Sequence, residues 1–461
     1  MADLSCFKAY DVRGAVPDVL SPELVRAAGH AFVAETGAHH VVVGRDARLS
    51  GPLLRDALCL GLREAGAEVT DIGMCGTEEI YYAAFAQPFD GGIMITGSHN
   101  PAQENGLKMV RGGAIPISGD SGLDQIRRRT GEELDAPSPR ALPREADLPP
   151  LHTACFRADY VAHLLRLSGG TDGLRPLAIH CEVGNGCAGL VLRELAPHLP
   201  YRLTISNAEP DGHFPHGVPN PLLPERREAA ARGVLQNGAD LGLAWDGDFD
   251  RCFFYDDQGT FIEGYYLVGL LAQATLERTP GARIVHDPRL YWNTQEMVRA
   301  AGGQPVISKA GHAFMKETMR ACDAAYGAEM SAHHFFRDFA YCDSGMLPWL
   351  LVARLISRTG RSLRDMVRER MAAYPCSGEI NRSVRDAAAV MAAIRAEFAP
   401  QALSEEHVDG LSLTFADWRF NLRASNTEPL LRLNVESRGD AALMQRMTDT
   451  LLQRIDALSR A

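Results

Sequence analysis

No stretch of this 461-residue chain approaches the roughly 18 consecutive apolar residues of a membrane span, and the N-terminus, with Asp3 near its start, carries no apolar export segment. Neither insertion nor export is expected, and the cytoplasm is the expected compartment. Basic charge is short as well: 47 Lys and Arg stand against 58 Asp and Glu, a net charge of -11. That balance argues against nucleic acid or an acidic membrane as a partner, while leaving room for a local basic pocket that takes an anionic substrate. No two cysteines form a CxxC pair, and the closest, Cys181 and Cys187, lack metal-ligand spacing, so the ten thiols are expected to be reduced, mostly buried and free of zinc. Repeats of solenoid period are missing too. What is there, 46% hydrophobic and 23% charged, is an ordinary globular composition in a chain too long for one core.

Short apolar runs alternate with helical patterns along the first two thirds, the signature of α/β layers. Ser21 followed by Pro22 reads as a helix start, as do Ser50, Gly51 and Pro52. Val41 to Val43, Val69 to Ile72 and Ile93 to Thr96 read as strands, each continuing through a loop into a helix. Between Gly131 and Pro150 five prolines among charges mark a connector. Beyond it come strands at Leu177 to Cys181, Leu241 to Trp245 and Cys252 to Tyr255, then at Ile284 to His286 and Pro305 to Ser308. The last segment reads as α+β, with strands at Leu411 to Phe415, Arg419 to Leu422 and Leu430 to Glu436 and an amphipathic helix from about Ala441.

Four loops carry candidate chemistry. Thr96, Gly97, Ser98, His99, Asn100 and Pro101 follow a buried strand, so Ser98 is presented at a strand end, as a nucleophile or group carrier or as part of a plain polar turn. Asp246, Asp248 and Asp250 alternate with Gly247 and Phe249 between two apolar strands; they can converge on a hard cation such as Mg²⁺, or form a solvated acidic turn. A calcium EF-hand loop is excluded, because Arg251 and Asp257 stand where it needs Gly and Glu. Arg423, Ala424, Ser425, Asn426, Thr427, Glu428 and Pro429 offer a guanidinium, hydroxyls and backbone donors, the makings of a phosphate cradle or of a plain hairpin loop. Glu329 and Ser331 flank Met330, and in extended backbone both point to one side, where a carboxylate and a hydroxyl suit sugar hydroxyls; a core-facing or capping Glu is the alternative. No Ser-His-Asp triad is implied, so Ser98 reads as a resident carrier more readily than as a hydrolytic nucleophile.

In this order and spacing, the stretch Tyr10 to Gly14, the serine loop with Lys108, the Asp246 to Arg251 loop, Gly311 with His312, Glu329 to Ser331 and Arg423 to Pro429 resemble the α-D-phosphohexomutase superfamily, in its phosphomannomutase and phosphoglucomutase branch. The resemblance covers essentially the whole chain. It implies an α/β fold of three related α/β domains plus a smaller C-terminal α+β domain around a central cleft, with boundaries at 1–145, 146–256, 257–368 and 369–461. It implies that Ser98 is a phosphoserine and that Ser98, Asp246, Asp248 and Asp250 hold one Mg²⁺, with Arg13, His99, Lys108 and Arg251 around the transfer site. Tyr10, His312, Glu329, Ser331 and His333 are then the sugar contacts, while Arg423, Ser425, Asn426 and Thr427 grip the other phosphate. The implied reaction interconverts mannose 6-phosphate and mannose 1-phosphate, and the glucose pair, through a hexose 1,6-bisphosphate that also serves as activator; the chain would act as a monomer. The alternatives are a glucose-preferring mutase, a hydrolase that loses the phosphate to water, and a non-catalytic sugar-phosphate binder. Three positions depart from the family's common pattern: Ala328, Phe249 and Ala332 stand where Gly is frequent. Met330 is similar to the mannose and glucose branch, where glucosamine mutases usually carry Gln.

Overall fold

Val41, Val42 and Val43 lie in the strand His40–Arg45 inside a mixed sheet, because β-branched side chains suit a pleated surface buried on both faces. The computed structural model describes residues 2–136, 148–424 and 430–460. One unit comprises Met1–Phe261 and Asp338–Arg358, the other Ile262–Arg337 and Thr359–Ala461. In the first unit the sheet order is Val12–Ala15, Glu104–Arg111, Gly91–Ile95, His40–Arg45, Glu68–Met74, Leu151–Thr153. Val41, Val43, Ile93 and Ile95 pack with the helices Pro22–Thr36 and Gly51–Glu64, while Val42 and Met94 pack with the helix Thr77–Ala86. Period-two alternation thus assigns each side of the sheet its own helix layer. The Ser21 hydroxyl accepts from Leu24 N (3.2 Å) and starts the first of these helices, as expected from Ser-Pro.

One expected element is different. After Ile93 to Thr96 the chain continues not into a helix but into the strand Glu104–Arg111, antiparallel to both Gly91–Ile95 and Val12–Ala15. An antiparallel return needs only the short serine loop, whereas a parallel neighbour needs a long crossover. Gly106 makes the return possible: a Cβ there would lie 2.2 Å from Val12 O and 3.0 Å from Thr96 O.

The second sheet of this unit contains Cys252–Tyr255, Leu241–Trp245, Ala178–Glu182 and Arg202–Ser206 in that order, the last three parallel. The unit also takes in the start of the helix Met346–Thr359. There Glu78, 0% exposed, accepts from Ser344 Oγ (2.5 Å), Tyr160 OH (2.7 Å), Gly345 N (2.6 Å) and Met346 N (3.0 Å). Burial pushes its carboxyl up to about 8 against those four donors, which pull it down. Glu78→Ala leaves four donors in the interior without their acceptor, and a loss of about 3 kcal/mol or more is expected. Urea unfolding checks this: a clear drop in midpoint is expected, and an unchanged midpoint contradicts the role of Glu78.

In the second unit, Gln304–Ile307, Arg283–His286 and Tyr326–Ala328 are parallel and His334–Phe336 closes antiparallel on the last. The helices Gly264–Arg278, Trp292–Ala300 and His312–Cys322 connect or flank them. The C-terminal sheet is wholly antiparallel, in the order Ile380–Ser383, Leu430–Ser437, Trp418–Ala424, Leu411–Thr414, Ser404–Glu406. Leu411, Leu413, Phe420, Leu422, Leu433 and Val435 form its core with residues of the helices Ala387–Phe398 and Ala441–Arg460. Among the described residues no helix is long and apolar enough to cross a membrane.

Candidate active site

Ser98 lies on the loop after Gly91–Ile95, 4% exposed, with φ 49°. Left-handed backbone at a residue with a Cβ costs about 1–3 kcal/mol and persists where surroundings enforce it. Its Oγ donates to Asp246 Oδ2 (2.9 Å) and lies 3.1 Å from His99 Nδ1. That same Nδ1 faces Arg251 Nη2, and since a guanidinium only donates, Nδ1 accepts and the ring proton is assigned to Nε2. Burial, reinforced by Arg251 and Arg13, holds His99 well below the usual histidine range, so the ring is neutral. Arg251 Nε donates to Asp246 Oδ2 (2.9 Å). Arg13, from the strand Val12–Ala15, donates through Nη1 to Thr96 O (2.5 Å) and through Nε to Asp11 Oδ2 (2.8 Å). Tyr10 is half-buried in the turn before that strand.

The strand Leu241–Trp245 delivers Asp246, Asp248 and Asp250, all buried, with carboxylate oxygens within 4.8 Å of one another. Lys108, on the return strand Glu104–Arg111, donates through Nζ to Asp248 Oδ2 (2.7 Å) and to Asp250 Oδ2. Thr77 Oγ1 adds a bond to Asp248 Oδ2 (2.5 Å). Burial alone would raise Asp248 and lower Lys108, but their mutual attraction wins: the carboxyl is held below the usual range and the ammonium above it. Asp248 Oδ1 is buried and accepts no hydrogen bond among the described residues. A bare carboxylate oxygen beside two further buried carboxylates is what a hard divalent cation satisfies, so the donor set fits one.

The departures at Phe249 and Ala332 have a conformational counterpart: both adopt left-handed backbone, φ 49° and 70°, the region that favours glycine. Phe249 keeps its place through packing. Its buried ring covers Gly76, where a Cβ would lie 2.1 Å from a ring carbon.

In the second unit, Glu329 is 3% exposed and accepts from Gly311 N, the residue before the helix His312–Cys322. The expectation of extended backbone from Glu329 to Ser331 is corrected. The segment turns, with Ala332 N bonded to Glu329 O (3.1 Å) and Glu329 N to His333 O (2.9 Å), because Ala332 reverses the chain. Met330 N donates to Asp287 Oδ2 (3.0 Å); Ser331, His312 and His333 are half-buried around this turn and helix start. Arg423 closes the strand Trp418–Ala424 and pairs with Glu379 (3.4 Å) and Asp409 (3.8 Å). Ser425, Asn426 and Thr427 lie outside the described residues.

Several polar residues next to these sites carry no local motif. Asp287 binds Arg289 (2.5 Å), which binds Glu379 (2.6 Å), so the turn at Met330 and the strand end at Arg423 share one ionic chain. Asp46 accepts from Thr96 Oγ1 (2.7 Å). The one available signal was position, since Asp46 and Asp287 both stand just past the carboxyl ends of parallel strands, where α/β sheets gather ligands. Burial would raise Glu379, but Arg289, Arg423 and Arg432 outweigh it and hold the carboxyl at about 2, against an ordinary 4.5. Its ionised form therefore stabilises the fold fully above about pH 4.5, and this is lost as pH falls toward 2, at most about 3 kcal/mol. Acid titration of wild type and Glu379→Gln tests it: the variant is expected to lose less stability across that window, and equal losses contradict it.

A strand-end serine, a neutral histidine and a lysine are thus brought together beside three carboxylates able to hold a metal, on α/β domains, an arrangement chemically suited to phosphoryl transfer. Residues 5–136, 158–259, 263–374 and 379–453 match, in turn, alpha/beta/alpha domains I, II and III and the C-terminal domain of phosphoglucomutase/phosphomannomutase, so the chain belongs to this family of mutases within the α-D-phosphohexomutase superfamily. It is 54% identical over 448 residues, 97% of this chain and 98% of the relative, to a Xanthomonas campestris pv. campestris protein named "Phosphohexose mutases". It is 51% identical, in an alignment 470 positions long that covers 99% of this chain and all of the relative, to a Salmonella montevideo "Phosphomannomutase". The crystal structure of a phosphoglucomutase/phosphomannomutase family protein from Burkholderia thailandensis matches with a TM-score of 0.86 at 30% identity, covering 99% of this chain and 98% of that one.

Proposed function

We propose that the enzyme interconverts mannose 6-phosphate and mannose 1-phosphate, and the corresponding glucose phosphates, with Ser98 as the phosphoryl carrier. The observation that carries this reading is the position of Ser98 Oγ, 2.9 Å from Asp246 in the loop of three buried aspartates. In the forward half-reaction the Oγ–P bond of phosphoserine breaks as a bond forms between phosphorus and a sugar hydroxyl oxygen, whose proton passes to a base. The resulting hexose 1,6-bisphosphate returns its other phosphate to Ser98 and leaves as the isomer; free bisphosphate keeps the serine charged and so acts as activator.

Ser98, Asp246, Asp248 and Asp250 would hold Mg²⁺. The bound cation supplies Lewis-acid stabilisation of charge on the transferring phosphate. Lys108, kept cationic by Asp248 and Asp250, serves as charge and not as base, and Arg13 and Arg251 serve likewise. His99 is neutral, with its accepting nitrogen toward Ser98 and Arg251. Tyr10, His312, Glu329, Ser331 and His333 are assigned to the sugar, with Arg423, Ser425, Asn426 and Thr427 on the non-reacting phosphate. Four domains bounded near 145, 256 and 368 and a monomeric, cytoplasmic enzyme belong to the same reading; seven of the ten cysteines are buried and all are free, which suits a reducing compartment. Kinetics with mannose 1-phosphate and glucose 1-phosphate, with Mg²⁺ and catalytic bisphosphate, test the function. Turnover of both is expected; no turnover of either, or release of inorganic phosphate equal to the substrate consumed, contradicts it.

A further inference from the structure

Arg48 takes no part in the roles assigned above, yet its side chain, 0% exposed, lies against the serine loop. Its Nη1 donates to Pro101 O (2.5 Å) and Glu104 O (2.7 Å), and its Nη2 to Ser98 O (3.0 Å) and Asn100 O (2.6 Å). Carbonyl oxygens gathered at one point repel each other, and four of them here converge on a single planar cation. A lysine, a point charge without the fork, cannot meet four acceptors in a plane.

The surroundings fix this guanidinium in turn. Its Nε forms an ion pair with Asp46 Oδ2 at 3.3 Å, and that oxygen accepts hydrogen bonds from Thr96 Oγ1 (2.7 Å) and Gly97 N (3.2 Å). Thr96 Oγ1 accepts from Ser98 N (2.8 Å), so both backbone polar groups of Ser98 are held, the N–H through Thr96 and the carbonyl by Arg48 itself. Gly97 leaves room for the group: a Cβ there would lie 2.3 Å from Arg48 Cζ. The Phe214 ring centroid lies 5.6 Å from Cζ, and Gly212 packs on the backbone of Ala47 and Leu49.

We infer that Arg48 is a positioning residue for phosphoryl transfer, clamping the carbonyls of the serine loop so that Ser98 keeps its left-handed backbone and aims Oγ at Asp246. It touches no reacting atom and acts through the loop backbone. The inference rests on Ser98 being the phosphoryl carrier.

The test is the rate at which dephosphorylated enzyme takes phosphate onto Ser98 from glucose 1,6-bisphosphate, followed by intact mass, together with kcat and KM for the sugar phosphate. Arg48→Met is expected to slow both phosphate uptake and kcat by about 10²-fold, the scale of a small misplacement of a reacting group, with KM within about threefold. Arg48→Lys restores charge but fewer directed donors, and recovers about tenfold of that loss. A merely structural role lowers the thermal midpoint and leaves kcat per folded molecule unchanged; that pattern, or uptake by Arg48→Met at the wild-type rate, overturns the inference. If the Met variant does not fold, the Lys variant decides, and a kcat within about twofold of wild type overturns it. A wild type that takes up no phosphate overturns the carrier reading instead, so the two failures are distinct.

Discussion

Ser98→Ala is expected to lower turnover by about 10⁴-fold or more and to abolish the single phosphate adduct, since no neighbouring group can carry the phosphoryl in its place. His99 is engaged by Arg251, and Asp246 is bound by Arg251 as well as by Ser98. The substitution removes one hydroxyl from a loop held by Arg13, Arg48 and Asp46 through other atoms, so the thermal midpoint is expected to stay near that of wild type. Steady-state rates and intact mass of the two proteins decide it. A variant that keeps more than about a tenth of the activity contradicts a carrier role for Ser98.

The second large effect lies in the aspartate loop. Asp248→Asn keeps the shape of a buried residue but exchanges an oxygen for an amide nitrogen, which binds no cation and repels the Lys108 ammonium if turned toward it. Its Oδ2 already takes Lys108 and Thr77, while Oδ1 accepts no hydrogen bond among the described residues, so on the proposed reading Oδ1 is the oxygen that would face the cation. Turnover is expected to fall by about 10³-fold, with Mg²⁺ affinity falling alongside. Calorimetric titration of Mg²⁺ and kinetics at saturating Mg²⁺ check both, and unchanged affinity with a rate within about tenfold of wild type contradicts metal ligation at Asp248.

Much of the scaffold was legible where strands are buried along their whole length, as in Gly91–Ile95, Leu241–Trp245 and Cys252–Tyr255, and read as unbroken apolar runs. Leu241–Trp245 and Cys252–Tyr255 have the expected limits, and the aspartates stand between them as expected. The return strand Glu104–Arg111 was not legible, because its place depends on Gly106 lying against Val12, a residue far away in sequence. The turn at Glu329 was hidden for a different reason. A glycine at position 332 would have announced a left-handed residue, but Ala332 adopts that conformation without the signal, as Phe249 does. The roles of Arg48, Asp287, Arg289 and Glu379 also escaped local reading. Each is an ordinary charge in sequence, and only the fold sets Arg48 against carbonyls some 50 residues on and Arg289 against a carboxylate 90 residues on.

The carrier role of Ser98 is tested most directly by a single turnover. Enzyme phosphorylated on Ser98, mixed with an equimolar amount of mannose 6-phosphate and Mg²⁺, is expected to lose its phosphate adduct as a hexose bisphosphate appears in matching amount. Inorganic phosphate appearing in its place, or an adduct that persists while the sugar phosphate isomerises, would contradict the transfer of that phosphate to sugar.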